Sequence, residues 1–140
     1  MSTVRKLGFA VGASLLLFSA PALAEGDAAK GEKVFKKCMA CHSVDEGQNK
    51  VGPSLHQIVG RTAGTVEGYR YSQINAAASD AGLVWTEEAI FNYLADPQAF
   101  LAAYLTGKGA DAPGRTKMAF KLPKEDERTD VIAYLKSVGM

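Results

Sequence analysis

Apolar positions along this chain recur at helical spacing in several stretches and nowhere alternate as a half-buried strand would. The clearest run lies at the C-terminal end. Val131, Tyr134, Leu135 and Val138 follow the i, i+3, i+4, i+7 pattern, with Pro123 near the start, Glu125, Asp126 and Glu127 in the first turn and Gly139 past the end. A second helix is predicted after Thr86, a capping residue, with Glu87 and Glu88 in its first turn and Ile90, Phe91, Tyr93 and Leu94 on its apolar side; Asp96-Pro97 ends it. Phe100, Leu101, Tyr104 and Leu105 predict one more short helix before Gly107, followed by a turn-rich surface loop to Pro113. Ser72 to about Ala81 forms a further short helix closed by Gly82. Asp27 caps a first helix that runs from about Ala28 into residues 38–41, with Gly31 and Phe35 on one face. Between Ser43 and Tyr71 the pattern breaks, with glycines at 47, 52, 60, 64 and 68 and Pro53, and an extended Ω-type loop is expected. The fold class is all-α, with four or five helices and long loops.

Residues 1–24 read as a cleaved secretory signal peptide. Arg5 and Lys6 supply the positive start, Leu7 to Phe18 the apolar stretch, and Ala22-Leu23-Ala24 the small-x-small cleavage site. No Arg-Arg pair is present, which points to export before folding. The alternative, an uncleaved anchor, has an apolar core shorter than the roughly 20 residues of a comfortable span, so no stable membrane insertion is expected. Residues 25–140 then form a single periplasmic domain. The chain has 16 Lys+Arg and 15 Asp+Glu; the leader takes Arg5 and Lys6, leaving 14 against 15. That balance argues against nucleic-acid binding, which needs a strongly basic footprint.

The chemistry is concentrated in Cys38-Met39-Ala40-Cys41-His42, which holds both cysteines of the chain. Cys-x-x-Cys-His is the attachment pattern of a c-type haem. Cys38 and Cys41 each add across a haem vinyl group to form a thioether, and His42 becomes the proximal axial ligand of the iron. Two other readings compete. A thiol–disulfide centre also uses Cys-x-x-Cys, but it wants a strand before the motif, where this chain has a helix. A zinc site would draw on adjacent Cys41 and His42, an awkward pair for one ion, with His56 as the only other histidine.

The second axial position decides what such a haem does. An open position permits gas binding or peroxide chemistry, whereas a methionine that stays bound raises the potential and suits electron transfer. Of the four methionines, Met1 leaves with the leader, Met39 is tethered inside the motif and Met140 is the last residue. Met118 remains, in the irregular stretch Pro113 to Phe120. It is either the ligand or an ordinary core methionine, and His56 is a rival ligand.

Taken together, these residues resemble a class I c-type cytochrome of the bacterial cytochrome c2 group, which is similar to mitochondrial cytochrome c. The resemblance spans residues 26–138 and rests on Gly31 with Phe35, Cys38-x-x-Cys41-His42, Gly52-Pro53-x-Leu55, Trp85, Tyr93-Leu94, Thr116-Lys117-Met118 and Tyr134-Leu135. It implies the cytochrome c fold around one covalent haem c. The first and last helices cross at Gly31, with Phe35 beside Val131 and Tyr134. It assigns Met118 as the second axial ligand and the carbonyl of Pro53 as acceptor for the His42 ring. Trp85 and Tyr71 hold a propionate, with Arg61 and Thr116 expected beside them, and Tyr93 and Asn75 lie near the haem and its methionine. Lys37, Lys50, Lys117 and Lys121 fall where lysines ring the exposed haem edge in relatives and steer acidic partners. Two stretches depart from shorter relatives: Ser79-Asp80-Ala81, and the longer Ala102–Ala112. Gln98 and Ala99 stand where mitochondrial forms carry lysines.

The implied activity is that of a monomeric one-electron carrier and not an enzyme. A membrane cytochrome bc complex would be the donor, and a photosynthetic reaction centre or terminal oxidase the acceptor. A haem peroxidase or gas sensor would instead need a vacant sixth position, and a disulfide oxidoreductase free thiols at Cys38 and Cys41. The four-helix cytochromes c′ place the attachment motif near the C-terminus, not near the start. The structural expectation is a cavity lined by Cys38, Cys41, His42 and Met118.

Overall fold

The computed structural model describes residues 25–140, so the signal-peptide reading of residues 1–24 lies outside the described residues. Five helices follow in order: α1 (Ala28–Phe35), α2 (Gln73–Asp80), α3 (Glu87–Ala95), α4 (Pro97–Gly107) and α5 (Glu125–Val138). The described residues hold one isolated antiparallel bridge, Thr62 to Val84. The all-α expectation holds.

Local chemistry accounts for most helix boundaries. The Asp27 carboxylate accepts from the N–H groups of Ala29 and Lys30 and starts α1; Ser72 and Thr86 do the same for α2 and α3. Asp96 closes α3 and caps α4 through Ala99 N–H, and Pro97 sits at the first turn of α4, where its missing donor costs nothing. Here the sequence expectation needs correction. Asp96-Pro97 separates two abutting helices, and α4 starts at Pro97 rather than near Phe100. The first helix also stops earlier than expected, at Phe35. Residues 36–41 continue as turns, with Cys38 N–H bonded to Phe35 C=O and His42 N–H to Cys38 C=O. That winding still brings Cys38, Cys41 and His42 close together.

The core has two parts. Val34 and Phe35 of α1, Ile90 and Leu94 of α3, and Val131, Ile132 and Leu135 of α5 form the first, together with Ile58 and Leu122. Ile74 and Ala78 of α2 and Leu101 and Leu105 of α4 form the second, with Ala63 and Leu83. Trp85 packs against both and joins them. The meeting of α1 and α5 is the tightest helix contact. A Cβ on Gly31 would fall 1.9 Å from the carbonyl oxygen of Asp130, so only glycine permits the approach. The Phe35 and Tyr134 rings meet there, 5.3 Å between centroids. Gly26 is held as closely, with its would-be Cβ 2.2 Å from the Thr129 oxygen.

Among the described residues no helix is long and apolar enough to cross a membrane.

Candidate functional site

A cavity of about 270 Å³ opens between the loop after α1, the Ω-type loop, α3, α5 and the strap of residues 113–123. Cys38, Cys41, His42 and Met118 all line it, as expected. Its walls are mainly apolar, from Phe35, Leu55, Ile58, Ile90, Leu94 and Val131.

His42 is held in a fixed orientation by the loop that faces it. Its Nδ1 lies 2.7 Å from the Pro53 carbonyl oxygen. A carbonyl only accepts, so Nδ1 carries the proton and Nε2 keeps the lone pair a metal needs. Burial lowers the basicity of the ring, which favours the neutral, ligating form, while the bond to Pro53 opposes this. Gly52 is the cradle. A Cβ there would stand 2.3 Å from His42 Cε1, so the absence of a side chain lets the loop press against the imidazole.

The surroundings of Cys38 do not suit thiol–disulfide exchange. Burial pushes the Cys38 thiol up to about 11, with Lys37 only partly offsetting it. An exchange centre needs the opposite, a thiolate stabilised at neutral pH. Zinc fares no better: among the described residues no group of three or more His, Cys, Asp or Glu is placed to hold an ion. His56 does not line the cavity; it borders a separate open groove, with Nδ1 3.2 Å from Val44 O.

Arg61, Tyr71, Asn75, Trp85, Tyr93 and Thr116 all line the cavity. Arg61 is not a solvated surface charge. It is half-buried and donates to the carbonyls of His56 (2.6 Å) and Ser54 (3.0 Å), and burial lowers its pKa. The Tyr71 hydroxyl accepts from Val66 N–H and retains its own proton to donate. Trp85 packs edge-on to Tyr93, 4.8 Å between centroids. Thr116 Oγ1 donates to Asn75 Oδ1 (3.2 Å) and accepts from Met118 N–H (3.3 Å), so it ties α2 to the strap. Burial raises the Tyr93 pKa, while hydrogen bonds with Thr116 and Asn75 pull it back.

The four lysines are already engaged. Lys37 pairs with Glu127 at 2.7 Å and Lys121 with Asp96 at 2.6 Å. Lys50 donates to the Met39 carbonyl, and Lys117 donates to the Arg70 carbonyl and lies over the Tyr69 ring. Lys37 and Lys117 also line the cavity.

Two residues escaped the sequence reading. Tyr69 lines the cavity, stacks edge-on against Tyr71 and donates to the Val51 carbonyl. Its signal was the Tyr69-Arg70-Tyr71 alternation, which places both rings on one side of an extended chain. Arg128 is buried at 6% exposure, donating to the carbonyls of Leu122 and Pro123 and lying 4.3 Å from the Phe91 ring centroid. No periodicity argument predicts a charged residue there.

Cysteines, a neutral histidine and a methionine around a mostly apolar cavity are a donor set that fits a haem attached by thioethers. Comparison with known proteins agrees. A model of the family described as "Cytochrome c" matches residues 28–139. A cytochrome c2 of Rhodopseudomonas palustris is 58% identical over 114 residues, 80% of this chain and 98% of that protein. Cytochrome c2 iso-2 of Rhodospirillum centenum is 57% identical over 115 residues, 80% of this chain and 95% of that one. The structure of cytochrome c2 from Rhodospirillum centenum superposes with a TM-score of 0.78 at 57% identity, covering 81% of this chain and 98% of that chain. The chain thus belongs to the cytochrome c family, as a class I bacterial cytochrome c2: an electron-transfer protein, not an enzyme, with one covalently bound haem c at Cys38 and Cys41.

Proposed function

We propose that the chain is a monomeric periplasmic carrier whose haem iron is bound by His42 and Met118. A haem c held by Cys38 and Cys41 supplies one-electron redox chemistry, its iron alternating between ferric and ferrous. His42 serves as a neutral ligand oriented by Pro53. Met118 supplies a soft sulfur that raises the potential. The apolar wall keeps water out, which disfavours the additional charge of the ferric state. Arg61, Tyr71, Trp85 and Thr116 supply donors for the propionates, while Tyr93 and Asn75 hold the polar side near Met118. The observation that carries the reading is the shared cavity: His42 and Met118, distant in sequence, both line it.

In this reading residues 1–24 are removed on export and residues 25–140 form the working domain. Lys37, Lys50, Lys117 and Lys121 border the electron exit and steer an acidic partner into a small, short-lived interface. The donor is a membrane cytochrome bc complex and the acceptor a photosynthetic reaction centre or terminal oxidase.

The test is the absorption spectrum of the ferric holoprotein beside that of Met118→Ala. A weak red-edge methionine–iron charge-transfer band, present in the parent and lost in the variant, is expected. A haem-containing parent without the band would overturn the His42/Met118 assignment.

A further inference from the structure

We propose that Gln98 is a positioning residue that controls how readily Met118 leaves the iron. The inference rests on the Met118 ligation proposed above. Gln98 stands in the first turn of α4, between Pro97, which is buried, and Ala99, whose N–H is capped by Asp96. That turn is therefore fixed to the core. From it the Gln98 side chain reaches the strap, where its Oε1 accepts from Thr116 N–H at 2.9 Å and its Nε2 donates to the Gly114 carbonyl at 3.4 Å. One side-chain amide thus pairs with the strap backbone on both sides of Arg115, much as a neighbouring strand would.

The strap has little else to hold its backbone. Among the described residues, the main chain from Pro113 to Lys121 makes no hydrogen bond to backbone elsewhere; the first comes at Leu122, whose N–H donates to Leu94 C=O at 2.7 Å. The only other bond to this backbone is local, from Met118 N–H to Thr116 Oγ1. The two Gln98 bonds are therefore the tertiary hydrogen bonds on the strap main chain before Leu122, and they fall two and four residues before Met118. Thr116 passes the restraint on, because Gln98 holds its N–H and its hydroxyl in turn accepts from Met118 N–H.

The test uses the ferric holoprotein and imidazole, an external ligand that binds the iron only after Met118 has left. At saturating imidazole the observed rate reports Met118 release. Gln98→Met keeps the side-chain length and removes both bonds; it should raise that rate roughly tenfold, a factor of about three for each bond lost. Gln98→Glu keeps an oxygen for Thr116 N–H and loses only the longer bond, so a smaller rise, of roughly two- to threefold, is expected. If Gln98→Met does not take up haem, Gln98→Glu carries the test alone. Parental rates in the variants, whatever happens to the unfolding midpoint, overturn the proposal while leaving ligation by Met118 intact, provided the parent shows the methionine–iron band. A parent without that band, binding imidazole as fast as Met118→Ala, overturns the ligation and the tether together.

Discussion

The backbone of Gly52 lies against the imidazole of His42, so close that a Cβ at position 52 would stand 2.3 Å from Cε1, 2.7 Å from Nδ1 and 2.8 Å from Nε2. The three nearest atoms all belong to the imidazole, so the clash would fall on the ring itself. The next residue is Pro53, whose carbonyl holds Nδ1. The same stretch of loop therefore shapes the space for the ring and fixes its tautomer.

Gly52→Ala should accordingly move the imidazole or the loop. The cost expected for overpacking a tight site is about 1–3 kcal/mol. It should appear in urea denaturation of the holoprotein, together with a changed haem spectrum, because the displaced ring is His42. A variant with parental stability and spectrum would show that the loop yields freely.

Gly31→Ala tests the contact of α1 with α5. Its Cβ would meet the backbone of Asp130, which cannot rotate away, so destabilisation near 3 kcal/mol is expected in equilibrium unfolding. Gly107 is the control. It ends α4 with nothing within 4 Å of a Cβ, and Gly107→Ala should be neutral or stabilise by up to about 1 kcal/mol from helix propensity. Equal effects at the two sites would refute the packing argument.

Arg128 holds the C-terminal end of the strap by donating to the Leu122 and Pro123 carbonyls. Replacing it with leucine leaves those acceptors unpaired and should cost about 1–3 kcal/mol. Arg128→Lys should recover little, because an ammonium lacks the planar fork and lies less well over the Phe91 ring. Thermal unfolding of the three proteins, measured side by side, separates these outcomes; full rescue by lysine would reduce the role of Arg128 to its charge.

The strap is also tied down by a titrating pair. Lys121, with the Ala99 N–H adding to it, holds the Asp96 carboxyl below the ordinary value of 3.8. An acid whose folded pKa is depressed contributes its stability in full above the unfolded value and loses it as pH falls through the folded one. Stability should therefore drop as pH falls below about 4. Asp96→Asn keeps an oxygen for the α4 cap but cannot pair with Lys121. Its stability should lie below the parent's at neutral pH and approach it as pH falls through the depressed folded value. Glu127, lowered by Lys37, has the same sign and will leave some acid sensitivity in the variant. Parallel profiles from neutral to acid pH would exclude the pair as a contributor.

Much of this was legible in the residues themselves. Capping side chains at Asp27, Ser72 and Thr86 start the helices where their chemistry says, because satisfying exposed N–H groups is a local problem. The Cys38, Cys41 and His42 pattern pointed to haem c because attachment depends on sequence-local spacing. The α4 start was misplaced because Asp96 and Pro97 end one helix and begin the next, two roles that one local signal does not separate.

What sequence alone determined is therefore the helical class, the attachment chemistry and, by elimination and resemblance, the candidate Met118. Those follow from interactions between residues a few positions apart or from covalent spacing. Only the tertiary structure decided that Gly52 cradles His42, that Arg128 is buried over Phe91 and that Gln98 grips the strap before Met118. Each joins residues ten or more positions apart, and such contacts leave no periodic trace, because each is selected by packing in three dimensions rather than by neighbours in sequence.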